Sequence, residues 1–221
     1  MILPELDLQL VYGKLAWTVV LAAVATALWP RAWTVPRRAL GCVTGALAAL
    51  MLLPGAASPA YWLALAFQWP SALLVGLCLV SLASVWRGGP PQLWLPPALG
   101  ALLAAGGAAL YLDAVGVLSQ GFYFWGFGEV QAPLASLVLL GACAWAALMN
   151  LARPQAVALL GALAAYAVCR LPTGNLWDAV LDPLLWGWAL ACSALRLRRA
   201  LNRRRDASSF AAAPDLGRAP G

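Results

Sequence analysis

Six arginines fall within residues 195–205, LRLRRALNRRR, directly behind an apolar run, and this juxtaposition constrains the fold more than any other stretch. Arginine-rich flanks of apolar segments stay on the cytoplasmic side of a membrane, so this flank sets the direction of every segment before it. Upstream, apolar runs alternate with short breaks built from Pro, Gly and Arg. The chain is 63% hydrophobic and only 10% charged, against about 25% charged in soluble domains. A soluble fold of 221 residues cannot hide that much apolar surface, because much of any domain stays wet. The bilayer is the solvent that fits.

The pattern predicts an all-α, polytopic transmembrane helix bundle in one domain, residues 1–205. Its spans are expected at 10–29, 39–58, 70–86, 93–112, 133–151, 155–169 and 176–195, followed by the basic juxtamembrane segment and a disordered cytoplasmic tail at 206–221. Each is near the ~20 residues a bilayer requires. The sixth is short, and the count falls to six if it or the first does not cross. The acidic N-terminus lacks the basic region of a cleaved signal peptide, so the first segment is read as retained.

With the tail in the cytoplasm, the inner loops at 30–38, 87–92 and 152–154, together with the tail, hold twelve of the fourteen basic residues. The outer side receives Glu5, Asp7, Asp113, Glu129 and Asp178, with only Lys14 and Arg170 as cations. Seven spans, N-terminus out and C-terminus in, satisfy the positive-inside rule at every loop. Trp29, Trp86 and Trp94 then mark the inner boundary, and Trp62, Trp69 and Trp177 the outer. Gly41 and Gly45 form a GxxxG that lets a neighbouring helix approach, and Pro54 is expected to kink the end of the second span. The fourth span carries Gly100, Ala104, Ala105, Gly106, Gly107 and Ala108, small side chains that predict a central place in the bundle.

Several chemistries are argued against. Histidine is absent, which removes the usual ligand for haem, copper and catalytic zinc and any Ser-His-Asp device. The five cysteines (Cys42, Cys78, Cys143, Cys169, Cys192) sit in apolar runs with no CxxC, as packing residues do. No phosphate-binding, dinucleotide or metalloprotease motif is present. No cofactor or metal is expected. Net charge is +6, but seven of the fourteen basic residues lie beyond Leu195, so the excess is a membrane flank and not a nucleic-acid surface.

Three groups of residues remain as candidates. Asp182 lies in the seventh span before a proline, with Asp178 one helical turn earlier, and the two can bind a cation, share a proton or grip Arg170. The alternative for both carboxylates is hydration at the outer headgroups. Asp113 and Glu129 bracket a Gly/aromatic stretch in which Phe122, Tyr123, Phe124, Trp125 and Phe127 can line a lipid groove or dock a partner; an ordinary aromatic belt has the same composition. Arg196, Arg198, Arg199, Arg203, Arg204 and Arg205 are expected to contact anionic lipid.

Two functions compete. In the first, the chain is a non-catalytic inner-membrane subunit or assembly factor of bacterial type, meeting other membrane proteins, with a homo-oligomer compatible. In the second, it is a small-solute, ion or lipid carrier whose path passes Asp182. The scarcity of polar groups within the spans favours the first, and leaves an enzyme a distant third.

Overall fold

A computed structural model describes residues 4–30, 35–92 and 95–211, with side chains to residue 203. Arg31, Trp94, the side chains of Arg204 and Arg205, and residues 212–221 lie outside the described part. The described chain is all-helical, with no strand among its residues. Its α-helices are α1 (Leu6–Leu28), α2 (Arg37–Met51), α3 (Pro59–Phe67), α4 (Ala72–Trp86), α5 (Pro97–Ala114), α6 (Phe122–Trp125), α7 (Gln131–Leu148), α8 (Arg153–Cys169), α9 (Leu176–Val180) and α10 (Pro183–Ala211). Three of them, α1, α5 and α7, are long and apolar enough to cross a membrane by length and composition.

Local chemistry explains most boundaries. Ser58 and Ser71 cap α3 and α4 by accepting the amides of Ala60 (3.2 Å) and Leu74 (3.1 Å), which satisfies donors that a helix start leaves open. Proline opens α3, α5 and α8, where its missing N–H costs nothing. Pro54 does more than kink the second segment: α2 stops at Met51, and the chain passes through a 3-10 turn at Gly55–Ala57 before α3.

α4 lies at the centre, between α1 on one side and α8 on the other; α2 packs outside α1, α7 outside α8, and α5 runs along α10. The core they share includes Val20 of α1, Leu73 and Leu77 of α4, Ala158 and Ala162 of α8, and Leu185 and Ala189 of α10. Small residues permit the closest approach: a Cβ on Gly76 would sit 3.0 Å from the Ala158 Cβ.

The small residues of α5 do not make it central. Gly100, Leu103, Gly107 and Asp113 are its buried positions, whereas Leu102, Ala105 and Gly106 are exposed. Two of its glycines act as notches for α10. A Cβ on Gly107 would lie 2.3 Å from the Trp186 indole, whose Nε1 donates to the Ala104 carbonyl at 3.0 Å. The central helix is α4, rich in Leu, because large side chains fill an interior that α1, α8 and α10 approach from several directions. Gly41 and Gly45 meet no other element: a Cβ on either would have nothing within 4 Å. Exposed apolar side chains line α7 instead, Val138 being 73% accessible, which is costly in water and ordinary in lipid.

Hydrogen bonds sort the helix ends into two faces. At one, Gln9 Nε2 donates to the Pro172 carbonyl (2.6 Å), Tyr12 Oη to that of Pro70 (2.8 Å), Lys14 Nζ to that of Leu53 (3.1 Å), and Ser58 Oγ to that of Met51 (2.6 Å). At the other, Arg37 Nε donates to the Trp86 carbonyl (2.7 Å), and Arg196 donates to that of Leu95.

Candidate functional site: a helix break and a polar knot

The segment expected as one helix at 176–195 is two. α9 ends at Val180, Leu181 is extended, and α10 begins at Pro183. Asp178 and Asp182 therefore do not share a helix face. The cause is local: Asp182 followed by Pro183 is a helix start, the carboxylate at the cap and the proline at the first helical position. Asp182 Oδ1 accepts the Leu185 amide at 2.7 Å, and Oδ2 accepts the Ser71 amide, 111 residues away, at 2.6 Å. Only 5% of Asp182 is accessible. One carboxylate thus caps α10 and anchors the residue that caps α4.

The aromatic loop is built around Asp113. Its Oδ1 accepts the amides of Gln120 (3.1 Å) and Gly121 (2.9 Å), and its Oδ2 accepts that of Tyr123 (2.9 Å). Gly121 takes φ 73°, which a side chain would oppose. Asp113 is buried and so does not present itself to a partner; it folds the loop back over the end of α5.

The loop is then laced to the segment between α8 and α9. Tyr123 Oη donates to the two oxygens of Asp178 (3.1 and 3.2 Å), and Thr173 Oγ1 donates to Oδ2 of the same carboxylate. Burial, with Asp178 beside it, pushes the Tyr123 phenol up to about 12, so it remains a donor through the ordinary pH range. Asn175, wholly buried, donates from Nδ2 to the Tyr123 carbonyl (3.2 Å) and accepts the Trp177 amide (2.9 Å). Trp177 Nε1 donates to the Phe122 carbonyl (2.9 Å), while the Leu176 amide (3.0 Å) and Tyr166 Oη (3.2 Å) converge on that of Gly126. A Cβ on Gly126 would lie 1.7 Å from Asn175 Oδ1, so only glycine fits.

Arg170 turns to Tyr166, donating from Nη1 to its hydroxyl at 2.8 Å with the guanidinium carbon 4.9 Å from the ring centre. The expected grip on the aspartates is replaced by this contact, because Arg170 sits at the left-handed end of α8 (φ 55°), one turn beyond Tyr166.

Of the aromatic candidates, Phe122, Tyr123 and Phe127 are half-buried, while Phe124 and Trp125 are 68% and 47% accessible, beside exposed Glu129. Trp125 meets Phe122 edge-on, ring centres 5.0 Å apart. Among the arginines, Arg196 is half-buried against α5, while Arg198, Arg199 and Arg203 are exposed. α10 continues through Ala211, six residues into the stretch expected as tail. Cys42 is exposed rather than packed.

No family model, curated protein or solved structure matches this chain.

Chemically, the knot is a closed set of donors and acceptors. The carboxylates of Asp113, Asp178 and Asp182 each accept two or more hydrogen bonds from the chain itself. Among the described residues no group of three His, Cys, Asp or Glu side chains converges as a metal site would require. A hollow of about 620 Å3 lies between α1 and α3, with Gln9, Lys14, Ser58, Tyr61 and Gln68 around it. Sequence reading missed Ser71, Tyr166, Thr173 and Asn175, which hold the site together. Asp182-Pro183 was the one available signal, as a helix-start dipeptide.

Proposed function

We propose that the chain is a non-catalytic integral membrane protein of a bacterial inner membrane, crossing it seven times with the N-terminus outside and the basic C-terminal segment in the cytoplasm. In this reading it serves as a subunit or assembly factor of a membrane complex. The observation that carries it is the internal use of Asp113, Asp178 and Asp182: each of these three carboxylates is tied to the chain's own amides or hydroxyls, which suits a scaffold. A carrier needs polar groups that can exchange partners with a solute. The outer face instead presents Phe124, Trp125 and Glu129, held on a loop rigid enough to be recognised.

The test is purification from native membranes in mild detergent. The intact protein is expected to bring down a stoichiometric partner, and a Phe124→Ser/Trp125→Ser double variant to lose it while keeping its helical circular dichroism. Both side chains are exposed, so their replacement spares the hydrogen bonds of the knot. Recovery of the intact protein alone would overturn the subunit reading and return attention to a carrier passing Asp182.

A further inference from the structure

Between α5 and α7, with α8 behind them and the α9–α10 break at the back, lies an apolar cleft of about 610 Å3. Leu103 and Gly106 of α5, Leu139 and Cys143 of α7, and Ala156 of α8 are among its walls, and Trp177 lies at its outer end. Its volume is within the range of small-molecule sites. Along α5 its lining runs from Pro96 to Leu110, about 21 Å of helix, against about 15 Å for one leaflet's hydrocarbon. A helix about 10 Å across and 21 Å long would displace roughly 1,600 Å3, far more than the cleft holds. An acyl chain is slender enough to enter.

The two ends of the cleft differ in charge. At one end, Pro96 and Ala152 line it: Arg153 follows Ala152 and is exposed, and Arg196 reaches the carbonyl of Leu95, directly before Pro96. The acidic side chains Asp113, Asp178 and Glu129 belong to the opposite end, in the loop and knot beyond Leu110. A headgroup at the arginine end therefore meets positive charge, and each basic residue near a surface attracts anionic lipid.

We infer that this cleft binds one anionic diacyl lipid from the bilayer, an acyl chain lying between α5 and α7 and the phosphate at Arg153. The inference rests on the membrane reading above.

The full-length protein, purified in mild detergent, is titrated with dioleoyl phosphatidylglycerol and, separately, dioleoyl phosphatidylcholine, and bound lipid is counted by native mass spectrometry. One phosphatidylglycerol per chain is expected to survive detergent washing, in preference to phosphatidylcholine. Arg153→Gln is expected to reduce that preference about fivefold, as loss of one surface cation implies. Gly106→Leu projects a side chain into the middle of the cleft, where an acyl chain would run, and is expected to abolish retention of both lipids. A Cβ there has nothing within 4 Å, and leucine is a better helix former than glycine, so this variant keeps its fold, which circular dichroism checks. Equal retention of the two lipids by the intact protein, or an unchanged lipid count in Gly106→Leu, would overturn the inference. So would a dimer that Gly106→Leu dissolves without changing the lipid count, since the occupant would then be a second copy. Extraction of the protein from membranes by carbonate would sink the membrane reading as well, which separates the two failures.

Discussion

At Asp182 one side chain holds two helix beginnings, and removing it exposes two buried amides at once. Asp182→Ala leaves the Leu185 and Ser71 N–H groups without their acceptors, and an unsatisfied buried donor costs about 1–3 kcal/mol. The variant is expected to unfold in micelles at clearly lower denaturant than the parent. Asp182→Asn keeps one acceptor oxygen and should fall between them. A carrier residue behaves in the opposite way, leaving stability intact while transport is lost. Circular dichroism across a denaturant series separates these outcomes, and parental stability in Asp182→Ala would refute the capping role. Asp113 works similarly for the loop: three amides converge on it, and the chain turns sharply because they do. Neither role could be read from spacing alone. Asp178 and Asp182 differ by one helical turn in sequence, and only the helix-start character of Asp182-Pro183 separates them in space.

Among the elements, several breaks were legible where proline, glycine or arginine marked them, as at Gly88–Pro91 and directly ahead of Arg153-Pro154. Which helix lies inside was not legible. Alanine and glycine in α5 suggested close packing on many sides, yet a small residue serves equally well as a notch for one large neighbour or as the wall of a cleft. Trp186 occupies the notch at Gly107; Gly106, next to it, lines the cleft. Glycine substitutions should therefore divide by position. Gly107→Ala must displace the Trp186 indole and is expected to destabilise by about 1–3 kcal/mol, the usual cost of overpacking. Gly161→Ala, whose Cβ has nothing within 4 Å, should stabilise by up to ~1 kcal/mol through helix propensity. Thermal melts in the same detergent would show shifts of opposite sign; shifts in the same direction would contradict the packing described.

For the whole molecule, the all-helical class followed from the apolar runs and their short breaks, because a chain that apolar must satisfy its backbone polar groups internally. The knot did not, since the hydrogen bonds that lace the loop to α8 and the segment after it join residues 40 to 55 apart, most of them through backbone carbonyls that no side-chain pattern reveals. Orientation has a direct readout. In a background lacking Cys42 and Cys169, Ser119→Cys is expected to react with an impermeant thiol reagent in intact cells, and Met149→Cys only after permeabilisation. Both parent residues are exposed. Reaction of both from the same side would refute the seven-span topology.

The density of ties at one face, from Gln9–Pro172 through Ser71–Asp182 to the Asn175 lacing, gives the molecule a fulcrum. Helices bound together at one end behave as levers, and their displacements grow with distance from the binding. The opposite end of α7, ahead of Arg153, lies at the far reach of those levers, so in the proposed membrane reading thickness changes or lateral pressure around it would be converted into splaying there while the tied end stays still.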